Sequence, residues 1–146
     1  METRDNINLI LKNFGETISL ADVSLDPNDS CNLVLDGNQN IQLFYDSDMN
    51  TLNFFTEVGT LPQQNSENCC NYLLKSNAEW TLTEGATLSK RKRDDAILLG
   101  YNLPILNLTS EIFETVFEHF LNLMDAWKNY LLQMSQGILP EALAEL

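Results

Sequence analysis

The sequence predicts an α+β fold, a twisted antiparallel sheet packed by helices, in the order helix, three strands, helix, two strands, helix. Two observations carry this prediction. Apolar and polar residues alternate in three consecutive runs between residues 31 and 62, and apolar residues recur at helical spacing near both ends of the chain. The 146 residues suit one domain. We place this domain at 1–136 and a short acidic tail at 137–146.

The first predicted helix covers residues 4–19. Its apolar residues recur three or four positions apart and therefore share one face; they are Ile7, Ile10, Leu11, Phe14 and Ile18. Leu9 widens this face, and Gly15 is a candidate for its early end. The polar face carries mixed charges, which does not favour an anionic lipid surface. We therefore expect the apolar face to pack on the core or on a partner.

Three short strands joined by tight turns are predicted between Cys31 and Pro62. One face of each strand is apolar, as in a sheet that packs on a core. The opposite face of each strand places one large apolar residue between two polar ones; these residues are Val34, Phe44 and Phe55. An apolar stripe on an otherwise polar face predicts a surface that another molecule covers.

A second helix and a hairpin are predicted next. The helix covers about 64–79. The strands Ala86–Ser89 and Ala96–Tyr101 are joined by a charged tip, in which the basic run Lys90–Arg93 precedes two aspartates. The basic run has three interpretations: a nucleic-acid patch, a targeting signal or a solvated hairpin tip. We favour the solvated tip because the aspartates balance it.

The last predicted helix shows the clearest pattern in the chain. Its apolar residues alternate spacings of four and three from Phe113 to Met134. Thr109 or Ser110 can cap its start, and Gly137 can stop it. This pattern predicts a helix of about 26 residues.

The composition excludes several classes of function. Twenty-one acidic residues against eight basic ones give a net charge of −13, and phosphate backbones need clustered Lys and Arg, so we expect no nucleic acid. Three cysteines, an odd number with two of them adjacent, do not suggest a disulfide framework, and this indicates a reducing compartment. The start of the chain lacks the pattern of a signal peptide, and no apolar run is long enough to span a membrane. We therefore expect a cytoplasmic protein without a membrane partner.

No motif in the sequence points to catalysis, a metal or a cofactor. His119 is the only histidine, too few for a Cys/His zinc site. Four residues match ligand positions of a calcium-binding loop: Asp46, Asp48, Asn50 and Glu57. Thr51 replaces the glycine that such a loop needs, and its flanks are predicted strands rather than helices. We therefore predict a protein that is not an enzyme and holds neither metal nor cofactor.

With this order of elements, the sequence resembles the class I secretion chaperones of bacterial type III systems, the Tir-chaperone family. The resemblance covers nearly the whole chain. The residues that carry it lie around the first three strands, in the second helix and in the last helix; they are Leu25, Asp26, Cys31, Leu33, Asp36, Leu43, Leu52, Gly59, Leu61, Pro62, Leu73, Leu74, Asn77, Trp127 and Leu131.

The resemblance implies a cytosolic homodimer that binds the non-globular N-terminal segment of one or more secreted effectors. The segment wraps around the chaperone in extended form and stays soluble and export-competent until the secretion ATPase takes it. Family dimers pair largely through the second helix, which implies an interface at Cys69, Cys70, Tyr72, Leu73 and Leu74. Family grooves use the first helix and the sheet, which implies effector binding by Ile7, Ile10, Leu11, Phe14, Val34, Phe44 and Phe55.

Two other functions remain open at this point. A regulatory interaction domain of the anti-activator type would bind a folded partner instead of an extended segment. A small α+β enzyme would need titratable residues in its groove, whereas a chaperone groove is apolar. The chaperone and the regulatory domain differ in the partner they bind, which is an extended segment for the chaperone and a folded protein for the regulatory domain.

Overall fold

The computed structural model describes residues 3–138. Its helices and strands follow the predicted order, and the predicted α+β fold is confirmed. The elements are α1 (Thr3–Thr17), β1 (Ser30–Leu35), β2 (Gln39–Asp46), β3 (Thr51–Thr60), α2 (Ser66–Glu79), β4 (Thr87–Lys90), β5 (Ala96–Pro104) and α3 (Ser110–Ser135). The predicted tail at 137–146 lies outside the described residues, except for its first two residues.

The five strands form one sheet in the order β1-β2-β3-β5-β4. The first two strands are antiparallel and closed by a tight turn, in which Asp36 and Gly37 have φ of 52° and 80°. The last two strands are also antiparallel. The order places β1 and β4 at the two edges, where each strand leaves one row of backbone groups without a sheet partner.

The chain divides into two compact units. The first unit spans Met1–Phe54 and Asn102–His119, and the second spans Phe55–Tyr101 and Phe120–Leu146. The single domain predicted at 1–136 stays a prediction.

Four phenylalanine rings form the centre of the first unit. Phe14 of α1 meets Phe113 and Phe117 of α3 edge-on, with ring centroids 5.2 Å and 4.8 Å apart. Phe54 of β3 meets the same two rings edge-on at 5.8 Å and 5.6 Å. Edge-to-face geometry is favourable for such rings. The helical spacing that predicted α1 and α3 thus corresponds to core packing.

The second unit packs around Trp127 of α3, which is fully buried. Its indole N–H donates a hydrogen bond to the carbonyl oxygen of Leu82 at 3.1 Å. Gly59 of β3 lies against the same helix, since a Cβ at this position would stand 3.1 Å from Leu131 Cδ1. Its φ of 155° also lies in a region that side chains rarely adopt.

Candidate functional site

The β1 edge of the sheet carries unpaired backbone groups. The carbonyl of Ser30 accepts the Asp26 N–H at 2.7 Å, and the Ser30 N–H donates to Asp26 Oδ1 at 3.0 Å, so both groups of Ser30 point away from β2. Because in-plane direction alternates along an antiparallel strand, the N–H and C=O of Asn32 and Val34 also point outward. Within residues 3–138, these four outward groups have no hydrogen-bond partner.

Charged groups fix the start of this edge. Arg4 of α1 pairs with the carboxylate of Asp29 and donates to the backbone oxygens of Leu25 and Asp26 at 3.3 Å and 2.8 Å. The Asp26 carboxylate in turn accepts the N–H of Asn28 at 2.8 Å. The chain before β1 is therefore held in place, and the open part of the edge begins at residue 32.

A loop of residues 20–24 lies beside this edge and borders an open cleft on each of its two sides. The cleft on one side has about 570 Å³ and is also lined by Asn8, Leu9, Lys12 and Glu16 of α1. The cleft on the other side has about 320 Å³ and is also lined by Asp26 and residues 30–34 of β1. We call these two clefts and the loop between them the α1–β1 groove.

Gly15 explains why the loop can lie so close to α1. A Cβ at this position would stand 2.7 Å from Val23 Cγ2 and 2.8 Å from the carbonyl oxygen of Leu20. The Leu20 N–H donates to the Gly15 carbonyl at 2.8 Å, and the Leu25 N–H donates to Asn8 Oδ1 at 2.8 Å. The expectation that Gly15 ends the helix early was wrong, because α1 continues to Thr17. The glycine serves the approach of the loop instead.

The four α1 residues assigned to effector binding lie in the core. Ile7, Ile10, Leu11 and Phe14 retain only 1%, 3%, 0% and 6% of their surface, so in this conformation they offer a partner almost no area. The exposed apolar residue of α1 is Leu9, at 46%. Leu9 lines the groove, and its position beside the apolar face was the only sequence signal for it.

The three outward residues of the strands are exposed, as their pattern predicts. Val34, Phe44 and Phe55 retain 44%, 39% and 40% of their surface. The pairing register corrects the expected stripe, however. Val34 lies opposite Asn40 and Phe44 lies opposite Ser30, so the two side chains share a face but stand four residues apart along the strands. Phe55 belongs to the second unit.

The five residues assigned to the dimer interface differ in accessibility. Cys69 and Leu73 are buried in the second unit, whereas Cys70 and Tyr72 are half-buried. Leu74 is 67% exposed. No sequence pattern pointed to Trp80, directly after α2, which is 68% exposed.

Two of the cysteines, Cys31 and Cys69, have thiols with a raised pKa. All three are free. Burial raises the pKa of Cys31, and the nearby carboxylate of Asp26 adds to the rise, while a hydrogen bond from Ser24 opposes it. Burial raises the pKa of Cys69 as well, with a smaller contribution from Cys70. A raised thiol pKa lowers the thiolate fraction and hence the reactivity.

The resemblance to a calcium loop has a different structural explanation. Asp46 Oδ1 accepts the backbone N–H of Asp48 and of Met49 at 3.0 Å and 3.1 Å, which makes this carboxylate part of a turn. In the stretch 3–138, no three His, Cys, Asp or Glu side chains come together in a way that could hold a metal ion.

Nearby carboxylates partly neutralise the positive charge of the basic hairpin tip. Arg91 donates to both carboxylate oxygens of Asp94, with the shortest distance at 2.8 Å, and lies 3.6 Å from Glu57. Lys90 lies 3.6 Å from Asp95. The interpretation as a solvated tip agrees with this arrangement.

Among the described residues, no helix is both long and apolar enough to cross a membrane.

One comparison with known proteins shows a family. The sequence profile of the Tir chaperone protein (CesT) family matches residues 9–128. No curated protein matches the chain significantly in sequence.

Solved structures share the fold at low identity. The ExsC–ExsE complex aligns with a TM-score of 0.79 at 20% identity, over 90% of this chain and 97% of that chain. The HopA1–SchA chaperone–effector complex aligns with a TM-score of 0.71 at 16% identity, over 87% and 96%. The Yersinia pestis type III secretion chaperone SycH, in complex with a fragment of YscM2, aligns with a TM-score of 0.62 at 17% identity, over 82% and 98%. On the profile match, the chain belongs to the Tir chaperone protein (CesT) family.

Proposed function

We propose that the protein is a cytoplasmic bacterial chaperone that binds the extended N-terminal segment of one or more type III secreted effectors. Membership of a chaperone family supports the role, and one structural neighbour is a chaperone–effector complex. The observation that carries the proposal is the row of unpaired backbone groups at Asn32 and Val34 beside the α1–β1 groove. An extended segment can pair with such an edge and place alternate side chains in the groove.

The energetics indicate that the groove is only part of the contact surface. Each hydrogen bond from a client strand to β1 contributes about 0.5–1.5 kcal/mol. Covering the exposed parts of Leu9 and Val34 contributes about 1 kcal/mol each, because nearly half of each side chain is still accessible. Association alone costs about 4–15 kcal/mol, and an extended client also loses conformational entropy. The client therefore has to cover further apolar surface, for which Phe44 and Phe55 are exposed.

Charge and assembly fit the same role. A net charge of −13 repels other acidic surfaces, keeps a complex with an unfolded client soluble and attracts a basic effector segment. We place the homodimer interface on α2, with Leu74 as its most exposed apolar residue. A dimer presents two grooves, so that one client can engage both with higher avidity. The complex then delivers its client to the secretion ATPase.

Co-expression with candidate secreted proteins of the source bacterium, followed by mass spectrometry of what co-purifies, tests the proposal. We expect an effector whose N-terminal segment is protease-sensitive when free and protected in the complex. A retained partner that is already folded and protease-resistant when free would favour the alternative, a regulatory domain of the anti-activator type. Retention of no secreted protein would contradict the chaperone role.

The substitution Val34→Pro tests strand addition at β1 with that client. Proline lacks the N–H that faces outward, and no bond to β2 is lost, because this N–H points away from the sheet. We expect client affinity to fall at least about 10-fold, since the missing hydrogen bond and the ring both interrupt the ladder. The control Val34→Thr keeps the N–H and the branched shape. Equal affinity of the two variants would place the client elsewhere.

A further inference from the structure

The β4 edge of the sheet differs from the β1 edge, because a side chain occupies its outward groups. Leu88 lies opposite Leu99 of β5 in the antiparallel pair. On its other side, the Leu88 N–H donates to Asn77 Oδ1 at 2.8 Å, and the Leu88 carbonyl oxygen accepts from Asn77 Nδ2 at 2.9 Å. Asn77 belongs to α2, so a helix supplies both partners of an edge residue.

The contact reproduces the pairing of a β-strand. A side-chain amide carries one C=O and one N–H₂ group, so that Asn77 offers Leu88 the donor and the acceptor that a neighbouring strand residue would offer. Both bonds are short and use the two outward groups of one residue. A strand that approached this edge would have to displace the amide and leave it to find new partners.

Little of the β4 edge remains open beyond this contact. The strand has four residues, and alternation leaves Lys90 as its other outward residue. Lys90 carries a charge and lies 3.6 Å from Asp95. Short edge strands and edge lysines both disfavour pairing between sheets. At β1, by comparison, Asp26 occupies the outward groups of Ser30 only, and those of Asn32 and Val34 stay open.

We propose that Asn77 closes the β4 edge against strand addition, and in the first place against the β4 edge of a second copy of this chain. Two identical edges can pair antiparallel about a two-fold axis centred on Leu88, so a second copy is always available as a competing strand. The closure leaves β1 as the edge for an extended client, which is the one point that rests on the proposed function. The closure of β4 itself does not depend on any client.

The variant Asn77→Ala tests the closure on the full chain without a client. Hydrogen exchange measured by NMR reports on the Leu88 amide, and light scattering after gel filtration reports on the molar mass. We expect the Leu88 amide to exchange at least about 10-fold faster at low protein concentration, because its acceptor is gone. We expect the molar mass to rise to about twofold that of the wild type with increasing concentration, because two β4 edges pair.

Two further variants keep the test decisive. Asn122→Ala removes an exposed asparagine of α3, away from the proposed dimer interface, and should change neither exchange nor mass. Asn77→Asp keeps an acceptor for the Leu88 N–H but loses the donor to the Leu88 carbonyl oxygen and adds a charge at the edge, so we expect exchange between that of the wild type and that of Asn77→Ala, with wild-type mass. If the alanine variant does not fold by circular dichroism, Asn77→Leu, which preserves the volume, replaces it.

An Asn77→Ala protein whose Leu88 amide exchanges as in the wild type would show that the contact does not protect the edge. Faster exchange without any rise in mass over the accessible concentrations would show that the open edge does not pair. Either result overturns the inference and leaves client binding at β1 untouched. Conversely, loss of client binding at β1 would not alter the expected mass of the alanine variant.

Discussion

Phe14 and Leu9 of α1 should respond differently to substitution. We expect a change at Phe14 to lower stability and a change at Leu9 to weaken client binding. Phe14 is 6% exposed, and its ring meets Phe113 and Phe117 at 5.2 Å and 4.8 Å. Replacing a buried phenylalanine by alanine costs about 3–5 kcal/mol, of which each aromatic contact supplies about 0.5–1.5 kcal/mol. That is a large share of a total stability of about 5–15 kcal/mol. For a chain of this size, Phe14→Ala should lower Tm by roughly 10–15 °C.

Leu9 should affect client binding instead. It is 46% exposed and lines the α1–β1 groove, and Leu9→Gln exchanges it for another good helix former. The lost burial is worth about 1 kcal/mol in the free chain, which corresponds to a shift in Tm of about 2–4 °C. In the complex the whole side chain is covered, so the same substitution should weaken the client about 5- to 10-fold.

Thermal unfolding followed by circular dichroism and titration with the co-purified client separate the two effects. At a temperature where both variants are folded, Phe14→Ala should bind the client as the wild type does, and Leu9→Gln should not. The reverse result, a stable Phe14→Ala protein that has lost its client, would refute the reasoning. It would mean that the apolar face of α1 contacts the effector, the role that the family resemblance implied for Phe14.

Two further predictions concern the pKa of Asp94 and the separation of Val34 and Phe44 along the strands. Hydrogen bonds from Arg91 and from the Ala96 N–H lower the pKa of Asp94 from 3.8 to about 2, so the pair contributes fully to stability above pH 3.8 and loses its contribution as pH falls through about 2. A ¹³C titration of the carboxyl group should show this low pKa in the wild type and a higher pKa in Arg91→Gln, still below 3.8 because the hydrogen bond from the Ala96 N–H remains; an ordinary pKa in the wild type would contradict the hydrogen bonds. Val34 and Phe44 stand about 13 Å apart along the strands, so the losses of client affinity from Val34→Ser and Phe44→Ser should add within about 0.5 kcal/mol in a double-mutant cycle. A larger coupling would indicate that one client side chain contacts both.

The period of the apolar residues predicted the elements well, because it reports burial directly. The 26-residue α3 begins where its caps were expected, with the Ile112 N–H donating to Thr109 Oγ1 at 3.2 Å. Period-two alternation likewise placed the strands and their exposed faces. Gly15 was a candidate for an early end of α1, and the close approach of Val23 that it permits is a tertiary contact that no local pattern contains.

The same signal did not distinguish core from surface for four of the seven residues assigned to effector binding, whose role stays a prediction. The sequence pattern of an apolar helical stripe is the same whether the stripe packs on the chain's own core or on a partner, because its apolar residues are buried in both cases. Phe14 and its neighbours on the stripe turned out to be core, because Phe113 and Phe117 supply the partner rings from nearly a hundred residues away. The exposed Leu9, beside the stripe, became a groove residue only through the loop that lies against α1.

The two sheet edges show that the period of the apolar residues does not predict which backbone groups are open to a further strand. Alternation describes which face a side chain occupies, whereas strand docking depends on where backbone N–H and C=O groups point within the sheet plane. That direction matters only at an edge, and the edges follow from an order in which β5 lies between β3 and β4. Even then, side chains outside the strands decide the outcome. Asp26 occupies one outward residue of the six-residue β1 and leaves two open, whereas Asn77 occupies one of the two outward residues of the four-residue β4 and leaves only Lys90. The available docking edge thus depends on strand length and on the contacts of two residues outside the strands, Asp26 and Asn77.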